Sequence, residues 1–263
     1  MEFKNIILQK SDNIATIKLN RPKTFNSLDG GLLHDLAEVS KICLDDEDIR
    51  AVIITGEGKA FCAGGDLSVF KDHLKTDLSA LFSQVINDLN AAIMNIRKMP
   101  KPVIAAINGA VGGAGMSIAA ACDLRICASS AKFRQGYTGV GLTGDGGWSL
   151  TVPLLVGFGK ASELLLLNPV FDAGQALEWG FVNKVVEDTE LEKESLEIAK
   201  KLASGPTKTF AIAKANLNHA MLGLLERHLE LEGSGMIKAA KTSDSHEGIR
   251  AFLEKRSPEF IGE

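Results

Sequence analysis

Phe61-Cys62-Ala63-Gly64-Gly65-Asp66-Leu67 and Asn108-Gly109-Ala110-Val111-Gly112-Gly113-Ala114-Gly115 are the stretches on which the fold of this chain turns. Ala51-Val52-Ile53-Ile54-Thr55 precedes the first and Val103-Ile104-Ala105-Ala106-Ile107 the second, both apolar and strand-like. Glycine admits positive φ and lets another group approach the main chain closely. Two such turns can each aim a backbone N–H at one oxygen, which is how an oxyanion hole is built. Taken singly, each loop is equally a tight turn closing a βα unit. Together they point to an enzyme that stabilises an enolate.

Outward from these loops, strand and helix signals alternate. Ile14–Leu19 has the period of a half-buried strand and is ended by Asn20-Arg21-Pro22. Ser27-Leu28-Asp29 can cap a helix over Gly31–Leu44. A helix is predicted over Leu78–Arg97, with Pro100 and Pro102 bracketing its exit, then a helix over Gly115–Ala121 and a strand over Leu124–Cys127. This order predicts βαβ units and a mainly parallel sheet, an α/β fold. After Asp145 the pattern is helical: Trp148–Leu155, Lys160–Leu167, Ala173–Trp179, Thr189–Ser204, Pro206–Leu222, Leu224–Lys241 and Ser243–Lys255, with only Phe181–Val186 extended.

The 263 residues are 45% hydrophobic and 24% charged, as in a packed domain. A net charge of −4 with no long basic block argues against a nucleic-acid partner. Cys43, Cys62, Cys122 and Cys127 form no CxxC pair and few histidines accompany them, so no metal site is expected. The cysteine usage fits a reduced, cytoplasmic setting. Met1–Asn5 leads into an alternating strand rather than a signal peptide. The longest uncharged stretch, Pro102–Cys122, is broken by Asn108 and four glycines. A span needs about 20 continuous apolar residues, so no membrane association is expected.

The ordered motifs resemble the enoyl-CoA hydratase/isomerase (crotonase) superfamily over nearly the whole chain. They are Leu19-Asn20-Arg21-Pro22 with Asn26-Ser27-Leu28, the two glycine loops, and Lys101–Gly109 leading into the second. Cys122-Asp123-Leu124-Arg125-Ile126, Ala131-Lys132-Phe133, Glu247-Gly248-Ile249 and Ala251–Arg256 follow. The resemblance implies a ββα-spiral core, here residues 1–200, and a C-terminal helical region, 201–263, that forms trimers or dimers of trimers. It implies an acyl-CoA thioester as substrate, with no separate cofactor. The oxyanion donors carry over to the N–H groups of Gly65 and Ala114. Losing one such donor typically costs about 3–4 kcal/mol.

The family's hydratases use two glutamates, and their positions fall here on Ser117 and Tyr137. Gly141-Leu142-Thr143-Gly144-Asp145-Gly146-Gly147 instead resembles a segment of the branch holding Δ3,Δ2-enoyl-CoA isomerases and 1,2-epoxyphenylacetyl-CoA isomerases, with Gly144 replacing the usual proline. There the aspartate is the acid/base, so Asp145 is expected to move a proton between C2 and C4. Burial among Leu142, Tyr137 and Trp148 would raise its pKa. Asp145 is also placed to be an N-cap. In a dehalogenase of this superfamily the same aspartate is a nucleophile and a histidine on the preceding long helix activates water. Asn90 stands at that place here, and His73, the nearest histidine, is expected on a solvated loop, so dehalogenation is disfavoured.

The resemblance places a CoA adenine near Ala60, Cys62 and Ala63; Tyr137, Leu142, Trp148 and Phe70 suggest an apolar acyl pocket, and Phe61, Leu67 and Ser117 are further expected substrate contacts. Lys23, Lys59 and Lys255 are the expected phosphate contacts, with Lys255 and Phe252 arriving from a neighbouring subunit. Gly139-x-Gly141-x-x-Gly144 matches the dinucleotide fingerprint but lies mid-chain with no acidic strand end after it, so it implies no NAD. Cys62 beside a glycine turn has the position of a nucleophile but no triad pattern around it. Two alternatives to isomerisation stand: a hydratase in which Asp145 activates water, and a non-catalytic CoA-binding protein.

Overall fold

The computed structural model describes residues 3–74 and 77–263. β1 (Ile6–Ser11) and β2 (Ile14–Leu19) form an antiparallel hairpin. Its two-residue turn, Asp12-Asn13, takes left-handed φ values of 52° and 60°. This conformation matches strand twist and is most accessible to Gly, Asn and Asp. The chain continues through α1 (Gly30–Asp45), β3 (Ala51–Gly56), β4 (Ala60–Cys62), α2 (Leu67–His73), α3 (Leu78–Lys98), β5 (Val103–Ile107), β6 (Ala110–Gly112) and α4 (Ala114–Ala121). Then come β7 (Leu124–Ala128), β8 (Lys132–Arg134), α5 (Trp148–Val156), α6 (Phe158–Leu167), β9 (Phe171–Asp172), α7 (Ala173–Glu178) and β10 (Lys184–Val186). Four helices close the chain: α8 (Leu191–Ala203), α9 (Thr207–Leu222), α10 (Leu225–Ala239) and α11 (Ser243–Leu253).

Two sheets result. The larger has the order β1-β2-β3-β5-β7-β10 and is parallel from β2 onward. The smaller has the order β4-β6-β8-β9, with only β9 antiparallel. Each of β3, β5 and β7 is followed by a short strand in the second sheet and then by helix. This repeat is the ββα spiral. Strand alternation sorts the large sheet's side chains onto two faces. Val52, Ile54, Val103 and Ala105 join the main core with α1, α3 and α4, while Ile53, Ile104, Ala106 and Ile126 meet Leu191, Ala199 and Ala203 of α8.

The C-terminal helices are tied to this core by specific contacts. Lys214 of α9 is buried and donates to the Ile96 carbonyl (2.9 Å) and to Asp123 Oδ2 (2.7 Å). Burial holds its ammonium below the usual lysine range. Arg97 pairs with the other Asp123 oxygen (3.1 Å) and reaches Asn218 of α9. α11 lies against the short 3-10 turn Thr138–Val140 of the same chain, so closely that a Cβ at Gly248 would stand 2.5 Å from the Val140 carbonyl carbon.

The α/β architecture with a mainly parallel sheet and a helical C-terminal region is as the sequence predicts. Its smaller elements differ. α2 occupies seven residues between the first glycine loop and Leu78, where the sequence pattern predicts no helix, and His73 closes it rather than lying on a loop. Asp66, whose carboxylate accepts from Ser68 N, is its N-cap. Beyond Asp145 a second extended pair, Phe171–Asp172, joins β8, and regular strand within 181–186 is confined to Lys184–Val186. Strands of two or three residues are too short to display a period.

Candidate active site

The first glycine loop is held from behind by the segment after β2. Asn26, left-handed at φ 54°, accepts from Arg21 N and donates to the Ala60 carbonyl (2.8 Å), fixing where β4 begins. Ala63 N donates to Phe25 O (3.0 Å), Leu28 N to Gly64 O (2.8 Å) and Asp66 N to Leu28 O (2.9 Å). Arg21 bridges Asp29 and Asp66, at 3.0 Å to each. Together these bonds leave the loop little freedom.

The two glycine loops pack backbone to backbone. A Cβ on Gly64 would lie 2.9 Å from Gly112 O, and one on Gly112 would lie 2.6 Å from Ala63 O. Gly64 has φ 91° and Gly113 φ 47°, a region that L side chains rarely adopt. Among the described residues the N–H groups of Gly65 and Ala114 have no protein acceptor. Ala114 opens α4, one residue earlier than the sequence pattern suggests, so its N–H sits at the positive end of that helix.

Next to the loops lies a buried polar cluster. Tyr137 stands beside Gly113, its Cε1 3.8 Å from where a Cβ would be. Its O–H donates to Asp145 Oδ1 at 2.6 Å. Ser117, one turn into α4, donates to the Asp145 carbonyl oxygen at 2.7 Å and lies 3.3 Å from the Tyr137 hydroxyl. Asp145 Oδ2 accepts nothing from the described residues. Burial pushes the Asp145 carboxyl from its ordinary 3.8 up to about 7; the Tyr137 hydrogen bond pulls it down and the charge of Glu232 pushes it up. Burial, with Asp145 beside it, also raises Tyr137 well above the ordinary phenol.

Asp145 is not the side-chain N-cap of α5. That place belongs to Gly147, which has no side chain to offer. The acceptor for the first turn is Glu232 of α10, which takes Gly147 N at 2.6 Å and Ser149 N at 2.8 Å. Nothing in the local sequence marks Glu232, an ordinary glutamate in a helical pattern.

The remaining expected residues fall into three groups. Leu142 and Trp148 are buried; Leu142 N donates to the Tyr137 carbonyl (3.0 Å), and Trp148 N donates to the Asp145 carbonyl (3.2 Å) with its side chain against Gly144. Ala60, Phe61 and Cys62 are wholly buried, and burial pushes the Cys62 thiol up to about 12, which leaves it no nucleophilic thiolate at neutral pH. Ala63 is exposed. Phe70 packs on Phe82 (4.9 Å between centroids) with its ring edge against Gly65, and Leu67 is half-buried. Lys23 and Lys59 are exposed and flank the contact between Pro22 and Gly58, which places them on one rim. Phe252 and Lys255 are exposed at the end of α11. Asn90 Oδ1 is buried with no partner among the described residues.

The sequence pattern described as enoyl-CoA hydratase/isomerase matches residues 9–263. The chain belongs to this family. This member of the enoyl-CoA hydratase/isomerase family is 37% identical over 263 residues to a crotonyl-CoA hydratase of Syntrophomonas wolfei, covering 99% of each chain. It is 36% identical to a 1,2-epoxyphenylacetyl-CoA isomerase of Escherichia coli, covering 100% of this chain and 99% of that one. A crystal structure of an enoyl-CoA hydratase from Mycobacterium avium subsp. paratuberculosis superposes with a TM-score of 0.90 at 31% identity, covering 99% of this chain and all of the other. The fold is therefore the crotonase fold, and the chain is an enzyme of the enoyl-CoA hydratase/isomerase type.

Proposed function

We propose that this enzyme is an enoyl-CoA double-bond isomerase in which Asp145 moves the proton. One observation carries this. Among the described residues, Asp145 is the carboxylate hydrogen-bonded into the Tyr137–Ser117 cluster, with one oxygen held by Tyr137 and the other unengaged, while the positions that the resemblance assigns to the hydratases' two glutamates carry Ser117 and Tyr137. The relatives named above include a hydratase and an isomerase, so the side chains at the site, rather than the family, favour one reaction.

In the proposed reaction the thioester oxygen of a 3-enoyl-CoA sits against the N–H groups of Gly65 and Ala114. Asp145 takes a proton from C2; the C2–H electron pair moves into the acyl system and the oxygen takes up negative charge as a dienolate. The same carboxyl then returns the proton at C4, giving the 2-enoyl thioester with no net gain or loss of atoms. A carboxyl titrating at about 7 is suited to both halves of this transfer. Lys23, Lys59 and Lys255 are proposed to meet CoA phosphates, with Lys255 and Phe252 reaching in from a second subunit. The acyl chain would run past Leu142, Trp148, Leu67 and Phe70.

The same reading includes a trimer, or a dimer of trimers, formed through the helical region from residue 201 on. Ile212, Leu217 and Met221 of α9 and Leu166 and Leu167 of α6 stand exposed, more apolar surface than isolated side chains present.

The experiment is a direct assay on 3-enoyl-CoA and 2-enoyl-CoA substrates, for the wild type and Asp145→Asn. Isomerisation without hydration is expected, with turnover lowered about 10²–10⁴-fold in the variant. Hydration of 2-enoyl-CoA as the main activity, or an Asp145→Asn enzyme as active as the wild type, would overturn the proposal. Acyl-CoA binding with no turnover of either substrate would favour a non-catalytic binding protein.

A further inference from the structure

The start of α5 is built in an unusual way. Its N-cap is Gly147, whose φ of 82° strains any other residue and where a Cβ would also crowd the Leu225 side chain at 3.2 Å. The orphan N–H groups of a helix's first turn need acceptors. They receive one carboxylate from a helix far along the chain: Glu232 Oε2 accepts from Gly147 N, while Oε1 accepts from Ser149 N and from Ser149 Oγ (2.5 Å). Glu232 is itself buried. Three donors and the positive end of a helix offset the cost of burying its charge. Its neighbour on α10, His228, reaches Ser149 Oγ at 2.8 Å and Glu232 Oε1 at 3.5 Å.

Asp145 lies two residues before Gly147. Two buried carboxylates therefore flank one turn, one from within it and one from α10. We propose that Glu232 is a positioning residue for the acid/base: by capping α5 from α10 it fixes the Asp145–Gly147 turn and keeps a second negative charge beside Asp145. A like charge nearby disfavours ionisation, so Glu232 would hold Asp145 protonated closer to neutrality than burial alone does. Among the described residues, the ionisable groups facing Asp145 are Tyr137, on the segment after β8, and Glu232. Glu232 in turn faces His228 of its own helix and Ser149 of α5. This inference rests on Asp145 being the acid/base, but its test does not need activity.

The test follows the Asp145 carboxyl by carbon-13 NMR in aspartate-labelled full-length protein, assigned by its absence from Asp145→Asn. Glu232→Gln removes the charge and keeps an acceptor oxygen; it is expected to move the Asp145 titration down by about 1 pH unit and the acid limb of the kcat profile with it. Should Glu232→Gln not fold, His228→Lys, on a partly exposed side chain, sets a permanent cation against Glu232 and is expected to shift the titration the same way by less. A titration unmoved in every folded variant overturns the inference. An Asp145→Asn enzyme that keeps full isomerase activity overturns the proposed function instead, and the NMR shift still decides the placement of Glu232.

Discussion

Asp145 is kept at a cost that its pH dependence exposes. Its native pKa of about 7 lies above the ordinary 3.8, so between those values the native state holds a proton that the unfolded chain releases. Its contribution to stability is complete below about 3.8 and is lost as pH rises through about 7. Asp145→Asn removes this slope and keeps an oxygen to accept from Tyr137. We therefore expect the inactive variant to be the more stable protein at pH 8, by an amount of order a few kcal/mol, and to lose that advantage near pH 4. Urea unfolding at the two pH values, at one protein concentration, measures it. An equal difference at both would mean that the Asp145 pKa is not raised in the native state. Asp145 itself was legible because the Gly-Leu-x-x-Asp-x-Gly spacing is local. Whether it was cap or acid/base was not, since that depends on which donors surround it, and Tyr137 and Ser117 reach it through the fold.

At the scale of elements, the turn carrying Tyr137 and Leu142 is wedged by α11. Gly248 faces the Val140 backbone, and Gly141 would place a Cβ 2.7 Å from the Asp244 carbonyl carbon. Gly248→Ala is expected to push α11 off this turn, lowering stability by about 1–3 kcal/mol and lowering kcat as Tyr137 shifts from Asp145. Denaturant unfolding and steady-state kinetics on the same preparation check both; an alanine accepted with neither change would show that α11 is not seated as described. Long elements such as α1, α3 and β5 were visible in the sequence because their hydrophobic period extends over several turns or a fully buried strand. α2 has no counterpart in the sequence pattern because seven residues make barely two helical turns. The short strands of the second sheet exist through their pairing with one another.

For the molecule as a whole, the exposed apolar residues of α6 and α9 are expected to be covered by further copies of the chain. Light scattering should give the mass of a trimer or its dimer, and Leu166→Glu combined with Ile212→Glu should shift it to the monomer. A wild type that is monomeric across the micromolar range would leave that surface for another partner. Among the described residues no helix is long and apolar enough to cross a membrane.

The sequence by itself determined the alternation of strand and helix, the mainly parallel sheet and the two glycine loops, because each is written in neighbouring residues or in a period that local geometry enforces; the ββα spiral and the glutamate positions came through the family resemblance. Only the tertiary structure decided how these parts form a site. Gly64 meets Gly112, Tyr137 meets Asp145 under burial, and Glu232 caps a helix 85 residues before it in the chain. Contacts of that kind depend on how the elements pack in space. Burial, the Tyr137 hydrogen bond and the charge of Glu232 together tune the Asp145 carboxyl, and Glu232 is brought there by packing alone.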